Sequence, residues 1–224
     1  MVDENPTRGI QRLVEEISEC ARETSMWTKR ESFSQTTMAA IANVHRDRFL
    51  MPGYKNVAFA NRPQPIGYGQ TISQPYIVAL MTDLLELKGS EQVLEIGSGS
   101  GYQAAVLAEI LDDGHVYTIE LVYELALRAE RALRNFGYSN VTLKHGNGYH
   151  GWAQKAPFDA IIVTAASDRV PDPLVEQLKV GGRLAIPIGR PSSQQNLVVA
   201  YKDNAQSIYY EKLLPVKFVP FIHP

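Results

Sequence analysis

The chain has 224 residues, 45% of them hydrophobic and 21% charged, so it can bury one sizeable α/β core with a small N-terminal addition. Its formal net charge of -2 offers no general attraction to polyanions, which argues against nucleic acid as a partner. The single cysteine, Cys20, excludes an intramolecular disulfide framework and leaves no cysteine cluster for zinc.

The N-terminal part of the chain predicts two helices followed by a long loop. Apolar residues recur at helical spacing between Ile10 and Ala21, and a second short helix is expected over residues 34–42. Residues 50–72 are rich in proline and glycine, a composition that favours an irregular loop, and long loops in compact domains are usually functional. We therefore expect residues 1–72 to form N-terminal helices and a substrate loop, packed on a catalytic core of residues 73–224 in one compact domain.

The sequence shows no pattern typical of export or of a membrane span. It starts with Asp3 and Glu4 rather than with a basic region followed by an apolar run. No stretch approaches about eighteen continuous apolar residues. These features predict a cytoplasmic protein without a membrane partner.

The central and C-terminal parts predict a doubly wound α/β sheet. An amphipathic helix is expected from Pro75 to Leu87, and strands then alternate with helices. Strands are predicted at 92–96, 115–120, 141–145, 159–163, 182–188 and 196–201, with helices at 102–111, 122–135 and 172–179. Five strands joined by crossovers indicate a mostly parallel sheet, and the tail from Ile208 should return antiparallel after a short polar turn.

The most informative segment joins the predicted strand 92–96 to the helix that follows it. Gly97, Gly99 and Gly101 stand at alternate positions in this turn. Glycine permits backbone conformations and a close ligand approach that a Cβ atom would forbid. The helix that opens near Gly101 directs free backbone amides towards whatever lies over the turn. The segment therefore predicts a nucleotide-binding turn.

The spacing of the glycines separates two kinds of cofactor. In the dinucleotide fingerprint G-x-G-x-x-G the third glycine allows close helix–strand packing beneath a pyrophosphate, and Tyr102 occupies that place here. The third glycine comes one residue early, and no lysine follows as a P-loop would require. A nucleoside ligand without a pyrophosphate is therefore favoured, and S-adenosylmethionine fits this description.

Two carboxylates are candidates for the same site. Glu120 ends the next predicted strand, nineteen residues past Gly101, where a carboxylate can accept hydrogen bonds from two ribose hydroxyls. The alternative for Glu120 is a solvated strand end. Glu95 lies inside a predicted parallel strand, where an acid is costly unless it is hydrogen-bonded. We expect Glu95 to brace the glycine turn or to meet the ammonium group of the methionine moiety.

Four segments carry a family resemblance. The chain resembles the protein-L-isoaspartate O-methyltransferases in residues 65–75, 93–103, 157–166 and 178–187, and the match spans roughly residues 38–220, in order. The second segment alone would indicate only a Rossmann-like methyltransferase. The G-x-G-Q-T-I-S run that starts at Gly67 is far more specific to this family.

The resemblance implies both a fold and an activity. The implied fold is that of a Rossmann-like class I S-adenosylmethionine-dependent methyltransferase: a doubly wound, mostly parallel α/β sheet with an antiparallel C-terminal strand and an N-terminal helical cap. The implied activity is transfer of a methyl group from S-adenosyl-L-methionine to the free α-carboxylate of L-isoaspartyl residues in damaged proteins, with D-aspartyl residues as further candidate acceptors. The transfer initiates repair of these proteins and leaves S-adenosyl-L-homocysteine. The resemblance also implies a monomeric cytoplasmic enzyme. The absence of a recognisable metal-ligand cluster and the net charge separately predict that it uses no metal and binds no nucleic acid.

The resemblance also implies roles for particular residues. Ser73 aligns with the family's active-site serine, and the substrate-binding candidates are Gln70, Thr71, Ile72, Thr164 and Ala165. The cofactor-binding candidates are Glu95, Gly97, Ser98, Gly99, Gly101, Tyr102, Glu120, Asn147 and Gly148. An acceptor carboxylate is already ionised at neutral pH, so the reaction needs no general base. From position alone, however, Ser73 or Gln74 could equally be an ordinary N-cap before Pro75.

The sequence departs from the family pattern at two asparagines. The family commonly has aspartate at the positions of Asn147, next to the adenine, and of Asn61, in the substrate loop. A neutral amide at Asn147 predicts weaker cofactor binding than a charged acceptor would give. Two alternatives stay open. One is a small-molecule or RNA methyltransferase on the same scaffold, and the other, suggested by these two departures, is a non-catalytic binder of isoaspartyl chains.

Overall fold

A computed structural model of the protein describes residues 6–190, 193–204 and 207–222. The chain begins with helices α1 (Pro6–Thr28) and α2 (Gln35–Asn43), so both expected N-terminal helices are present. α1 buries Leu13, Ile17 and Ala21 along one face, which is the spacing that an amphipathic helix requires. α2 begins at an N-cap, Ser34, whose hydroxyl accepts a hydrogen bond from the Thr37 backbone N–H at 3.2 Å.

The segment 50–72 is more regular than its composition predicts. It contains a 3-10 turn at Pro52–Val57 and an antiparallel hairpin of strands β1 (Gln64–Gly67) and β2 (Gln70–Ile72). The hairpin turns through Tyr68 and Gly69, both with positive φ. The glycines that suggest a loop therefore make a β-turn instead, so the prediction of irregular structure is wrong for residues 64–72.

The rest of the chain forms an α/β sandwich around a seven-stranded sheet. Its helices are α3 (Pro75–Leu84), α4 (Tyr102–Ile110), α5 (Tyr123–Asn135) and α6 (Asp172–Gln177). Its strands are β3 (Gln92–Ile96), β4 (His115–Glu120), β5 (Val141–His145), β6 (Phe158–Val163), β7 (Leu178–Ile188), β8 (Gln195–Lys202) and β9 (Ile208–Val216). Each predicted strand and helix is present, and the doubly wound fold class is confirmed.

The strand order is β5-β4-β3-β6-β7-β8-β9, with β3 to β7 parallel. β8 runs antiparallel to β7, and β9 returns antiparallel to β8, as expected for the tail, so in this seven-stranded sheet β8 alone runs against the direction of the other strands. The reason is chain length: only residues 189–194 separate β7 from β8, and a parallel return needs about a dozen residues or more.

Two element boundaries differ from the predictions. α3 ends at Leu84 rather than at Leu87. α6 ends at Gln177 rather than at residue 179, because Leu178 already pairs with Phe158 as the first residue of β7. Sheet pairing therefore takes precedence over the local helical pattern at this point.

The sheet is buried on both faces. The larger apolar cluster joins Ile17 of α1 to Leu80 of α3 and Val106 of α4, so the N-terminal helices share one core with the sheet. A second cluster, which includes Leu94, Ile161 and Leu174, fills the opposite face. The division into residues 1–72 and 73–224 stays a prediction. Among the described residues, no helix combines the length and the apolar character that crossing a bilayer demands.

The strand order defines where a ligand can bind. β3 lies between β4 and β6, so the helices that follow β3 and β4 turn to one side and the connection after β6 turns to the other. A crevice opens outside the carboxyl ends of the strands at such a switch point. The predicted glycine turn leaves β3 at this crevice.

Candidate active site

A cleft with an empty volume of about 880 Å³ opens at the carboxyl ends of β3, β4 and β6. It brings together the predicted site residues with the exception of Glu95 and Gly101. The predicted residues that line it are Gln70, Thr71, Ile72, Ser73, Gly97, Ser98, Gly99, Tyr102, Glu120, Asn147, Gly148, Thr164 and Ala165.

The glycine turn forms the floor of the cleft. Gly97, Gly99 and Gly101 have φ values of 96°, 53° and 88°, a region that residues with a Cβ atom rarely adopt. A Cβ atom on Gly97 would come within 3.0 Å of Thr164 Oγ1. Gly101 lies behind the turn as the N-cap of α4 and packs on Leu133 of α5, so it shapes the cleft without lining it.

Glu120 lies where a carboxylate that binds ribose hydroxyls is expected. It is 6% exposed, and its Oε2 accepts a hydrogen bond from Gly99 N at 2.8 Å. Its Oε1 accepts from Val122 N at 2.9 Å. Each carboxylate oxygen keeps a further lone pair, so the group is fixed in orientation and can still accept from two hydroxyls.

Glu95 lies behind the cleft rather than in it. The side chain is fully buried, and its Oε2 accepts a short hydrogen bond from Thr118 Oγ1. The Thr118 hydroxyl lies 2.6 Å from Ser98 Oγ in the glycine turn. Burial raises the pKa of Glu95 to about 8. Because Glu95 does not line the cleft, the expectation of contact with the cofactor's ammonium group is not supported, and its contacts are those of a brace for the turn.

Ser73 connects the β-hairpin to α3. Gln74, not Ser73, is the N-cap of α3, and it makes no side-chain capping bond. The Ser73 hydroxyl is therefore not used to cap the helix, contrary to the structural alternative. Ser73 lines the cleft and also a second groove, which Thr71 and Thr164 share.

The second groove extends from Ser73 towards the N-terminal helix. Its walls include Cys20 and Thr24 of α1, Tyr76 of α3, and residues 214–219. Thr24 Oγ1 lies 2.5 Å from the Tyr76 hydroxyl, which fixes the two helices to each other beside the groove. The cleft and this groove meet at Ser73, Thr71, Thr164 and Val219.

Arg46 is a residue that sequence reasoning missed. Its side chain is 1% exposed, and burial is the main cause that lowers its pKa to about 10. Its guanidinium donates to the carbonyl oxygens of Ala58, Ala60, Arg62 and Ser73. The run His45-Arg-Asp-Arg is typical of a solvated turn, so nothing in the sequence distinguishes the buried arginine from its exposed neighbour Arg48.

The two asparagines that depart from the family pattern both accept backbone hydrogen bonds. Asn147 Oδ1 accepts from Tyr149 N at 2.9 Å and caps the short turn after β5, at the rim of the cleft. Asn61 Oδ1 accepts from Tyr76 N at 3.0 Å, in the first turn of α3. An aspartate could make the same two bonds, so neither departure removes a structural contact.

Tyr102 and the C-terminal segment complete the walls. Tyr102 lines the cleft but is only 1% exposed, and its ring packs edge-on against Phe49 with centroids 5.7 Å apart. The tail reaches the cleft because Phe221 N donates to Ala166 O, and Ala166 N donates to Val219 O, each at 2.8 Å. The sequence carries no motif that predicts this return of the tail.

The cleft combines a glycine cradle and a buried carboxylate with a serine hydroxyl at the entrance of a second groove. In the described residues, no cluster of three or more histidine, cysteine, aspartate or glutamate side chains could hold a metal ion. The arrangement can hold a nucleoside on one side and a polar acceptor group beside Ser73 on the other.

Comparisons with known proteins agree with one another. The family model described as protein-L-isoaspartate(D-aspartate) O-methyltransferase (PCMT) matches residues 23–223. Protein-L-isoaspartate O-methyltransferase 2 of Syntrophobacter fumaroxidans is 48% identical over 93% of this chain and 84% of its own length. The protein-L-isoaspartate O-methyltransferase of Gloeobacter violaceus is 51% identical over 84% of this chain and 90% of its own length.

Solved structures show the same likeness. A protein-L-isoaspartate O-methyltransferase superposes with a TM-score of 0.80 at 27% identity, over 92% of this chain. This chain spans 65% of the length of that one. A Plasmodium falciparum protein of the same description, in complex with S-adenosyl-L-homocysteine, superposes with a TM-score of 0.77 at 23% identity, which shows a common fold. The superposition covers 93% of this chain and 97% of the Plasmodium falciparum protein.

Proposed function

The chain belongs to the protein-L-isoaspartate(D-aspartate) O-methyltransferase family, and from that premise we propose that it methylates the free α-carboxylate of L-isoaspartyl residues in damaged proteins. S-adenosyl-L-methionine is the methyl donor, S-adenosyl-L-homocysteine is the product, and D-aspartyl residues are further candidate acceptors. The observation that carries the proposal is the position of Ser73, where the glycine-lined cleft meets the second groove.

The residues of the cleft fit the donor. When bound, S-adenosyl-L-methionine supplies an electrophilic methyl group on a sulfonium sulfur. Gly97 and Gly99 allow the turn under the cleft to pack closely on Thr164 Oγ1 and on the Ile66 side chain, at positions where a Cβ atom would clash with the first and crowd the second. Glu120 accepts hydrogen bonds from the ribose hydroxyls with its remaining lone pairs, and Asn147 at the rim accepts from the adenine amino group.

The acceptor side requires positioning rather than proton transfer. An α-carboxyl group has a pKa of about 3.5, so the nucleophilic oxygen is already charged at neutral pH. Ser73 Oγ donates a hydrogen bond to one carboxylate oxygen, and Thr71 and Thr164 border the same junction. Holding the other oxygen in line with the methyl carbon, with water excluded, is the source of rate enhancement in this mechanism.

The second groove supports a polypeptide acceptor over a small molecule. A free small acceptor needs only the cleft, whereas a residue within a polypeptide must have chain leading away from it on at least one side. The groove runs from Ser73 past Tyr76 to α1 and is bordered by residues 214–219. The net charge of -2 argues against RNA as the acceptor.

The capping bonds of Asn61 and Asn147 support a catalyst over a non-catalytic binder. Both side chains keep the backbone contacts that an aspartate would make at the same places. The two departures therefore change the local charge but keep the backbone hydrogen bonds that hold the site together. A cytoplasmic location and a monomeric state belong to the same proposal, and cell fractionation and light scattering test them.

A matched peptide pair tests the proposed function. We expect transfer of radiolabelled methyl from the donor to an isoaspartyl peptide, with release of labelled methanol on hydrolysis of the ester, and none with the normal aspartyl peptide of the same sequence. Equal labelling of the two peptides would contradict isoaspartyl specificity. Binding of the isoaspartyl peptide without labelling would identify the protein as a non-catalytic binder instead.

A further inference from the structure

Arg46 is a buried cation whose hydrogen bonds go to main-chain oxygens. Its Nη1 donates to Ala58 O at 2.6 Å and to Ala60 O at 3.4 Å. Its Nη2 donates to Arg62 O at 2.9 Å and to Ser73 O at 3.0 Å. Among the described residues, all four of its hydrogen bonds go to main-chain carbonyls and none to a carboxylate, and Nε has no hydrogen-bond partner.

Such an arrangement is costly, because a charge that is removed from water must recover its hydration through hydrogen bonds. A planar guanidinium presents donors in a fixed fork, whereas an ammonium group is a point charge on a flexible stem. Only the guanidinium can reach carbonyls on two separate stretches of chain at once. One stretch is residues 58–62, before the β1–β2 hairpin, and the other is Ser73, after it.

The Ser73 carbonyl needs this partner for a reason of helix geometry. The first carbonyl that accepts a hydrogen bond within α3 is that of Gln74, from Val78 N at 3.1 Å. Ser73 precedes this position, so the helix does not fix its carbonyl, and Arg46 Nη2 does. The backbone orientation at Ser73 sets where its hydroxyl lies between the cleft and the groove.

We infer that Arg46 is a positioning residue for methyl transfer: by holding the Ser73 carbonyl together with residues 58–62, it fixes the Ser73 hydroxyl at the acceptor carboxylate. This inference rests on the proposed function. It assigns the buried guanidinium to the acceptor side of the reaction. The donor side depends on the glycine turn, Glu120 and Asn147, and none of these is among the partners of Arg46.

The experiment compares Arg46→Lys with Arg46→Met and uses Arg48→Met as the matched control. Arg48 lies on the same turn, but it is exposed and its guanidinium lies over the Phe136 ring, 5.3 Å from the centroid. For each protein we would measure kcat and KM with an isoaspartyl peptide, the Kd of S-adenosyl-L-homocysteine by calorimetry, and the thermal unfolding temperature.

We expect Arg46→Lys to lower kcat/KM for the peptide by about 30-fold or more, because a displacement of about 1 Å at a positioned group costs on this order. The same variant should bind S-adenosyl-L-homocysteine within about threefold of wild type, since no hydrogen bond of Arg46 reaches the glycine turn, Glu120 or Asn147. Arg46→Met should show a larger loss of the same kind. Arg48→Met should stay within about twofold of wild type in every measurement.

Each outcome decides the matter. Unchanged turnover in Arg46→Lys overturns the inference. So does an Arg46→Lys protein that fails to fold or that loses product affinity as much as turnover, because Arg46 would then be a general stabiliser. If Arg46→Met does not fold, Arg46→Lys alone decides. A wild-type protein without isoaspartyl-dependent turnover overturns the proposed function and this inference together, whereas a normal wild type with an active Arg46→Lys overturns this inference alone.

Discussion

Thr164 Oγ1 donates a hydrogen bond to Gly97 O at 2.7 Å, and the same oxygen fills the space that a Cβ atom on Gly97 would occupy. The end of β6 is thereby fixed against the turn that leaves β3. Gly97 also has a φ of 96°. Glycine is thus required there for two independent reasons, a backbone conformation and a close contact.

We expect Gly97→Ala to weaken cofactor-product binding by about tenfold or more and to destabilise the fold by about 1–3 kcal/mol, because the new methyl group must displace Thr164 and strain the turn. Calorimetric titration with S-adenosyl-L-homocysteine and denaturant unfolding measure the two effects. Gly137→Ala is the matched control, because Gly137 has a φ of 86° but nothing within 4 Å of a built Cβ atom. Because Gly137 does not line the cleft, equal loss of affinity in the two variants would show a general effect of backbone strain on the fold and would contradict a specific role for the contact with Thr164.

Ser73→Ala should lower kcat/KM for an isoaspartyl peptide by about 100-fold, because it removes the donor to the acceptor carboxylate. Thermal stability and S-adenosyl-L-homocysteine affinity should stay close to those of wild type, since the hydroxyl caps no helix. Steady-state kinetics with the labelled donor and thermal unfolding give these quantities.

Ser34→Ala is the control for Ser73→Ala, because Ser34 has a structural role where Ser73 is assigned to the reaction. Ser34 Oγ does cap a helix, through its bond from Thr37 N, and it contributes to neither the cleft nor the groove. Its loss should cost about 1 kcal/mol of stability and leave turnover unchanged. If Ser73→Ala behaved like Ser34→Ala, with lost stability and intact turnover, the assignment of Ser73 to the reaction would be wrong.

The order of strands and helices from residue 75 onward could be predicted because the sequence repeats a strong local pattern, in which an apolar run is followed by a turn and an amphipathic helix. The hairpin at residues 64–72 could not, since its glycines and prolines also suit an irregular loop. The start of β7 at Leu178 was also missed, because it depends on pairing with Phe158, twenty positions away along the chain.

Most of the candidate cofactor site could be predicted because its residues come directly after strands in the chain. The carboxyl ends of parallel strands lie at the same edge of the sheet, so these residues meet there. Two features could not. Arg46 acts through carbonyl acceptors, which every residue carries, so no sequence pattern predicts its burial. For Glu95 the sequence left open a brace and a cofactor ligand, because the choice depends on its place behind the cleft and on its bond from Thr118, a residue on the neighbouring strand.

The buried carboxyl of Glu95 predicts a pH dependence of stability. Its pKa is raised by burial to about 8, whereas in the unfolded chain it titrates near its ordinary value of 4.5. Between these values the folded protein keeps a proton that the unfolded chain has released, so Glu95 costs stability progressively as pH rises through this window. Below it both states are protonated and the cost is absent.

Glu95→Gln removes this titration while it keeps the shape of the side chain. We expect the stability of the variant relative to wild type to rise by about 1 kcal/mol for each pH unit within that window, and to level off above about pH 8. Urea unfolding at a series of pH values measures it. Thr118→Val retains the carboxyl but removes its hydrogen-bond donor, so its pH dependence should persist. A constant difference between Glu95→Gln and wild type across the series would contradict the raised pKa.

Asn147→Asp should tighten binding of S-adenosyl-L-homocysteine by about 3- to 10-fold. One carboxylate oxygen would replace Oδ1 as acceptor from Tyr149 N, and the other would give the adenine amino group a charged acceptor in place of a neutral amide. Calorimetry compares the two proteins directly. Affinity equal to or weaker than that of wild type would mean that Asn147 does not contact the adenine.

Asn61→Ala tests the second departure from the family pattern. Asn61 Oδ1 accepts from Tyr76 N in the first turn of α3, and its Nδ2 lies 3.5 Å from Cys20 Sγ of α1. Its removal should cost about 1 kcal/mol of stability, as for other capping residues. Because α3 begins two residues after Ser73, the KM for an isoaspartyl peptide should also rise.

Asn61→Asp is the matched variant. A carboxylate accepts from Tyr76 N as the amide does, and its charge interacts favourably with the N-terminus of α3, so stability should stay within about 0.5 kcal/mol of wild type. Thermal unfolding and peptide kinetics compare the three proteins. If Asn61→Asp lost as much stability as Asn61→Ala, the contact with Cys20 rather than the helix cap would be the interaction that matters, because only the amide can donate to the sulfur.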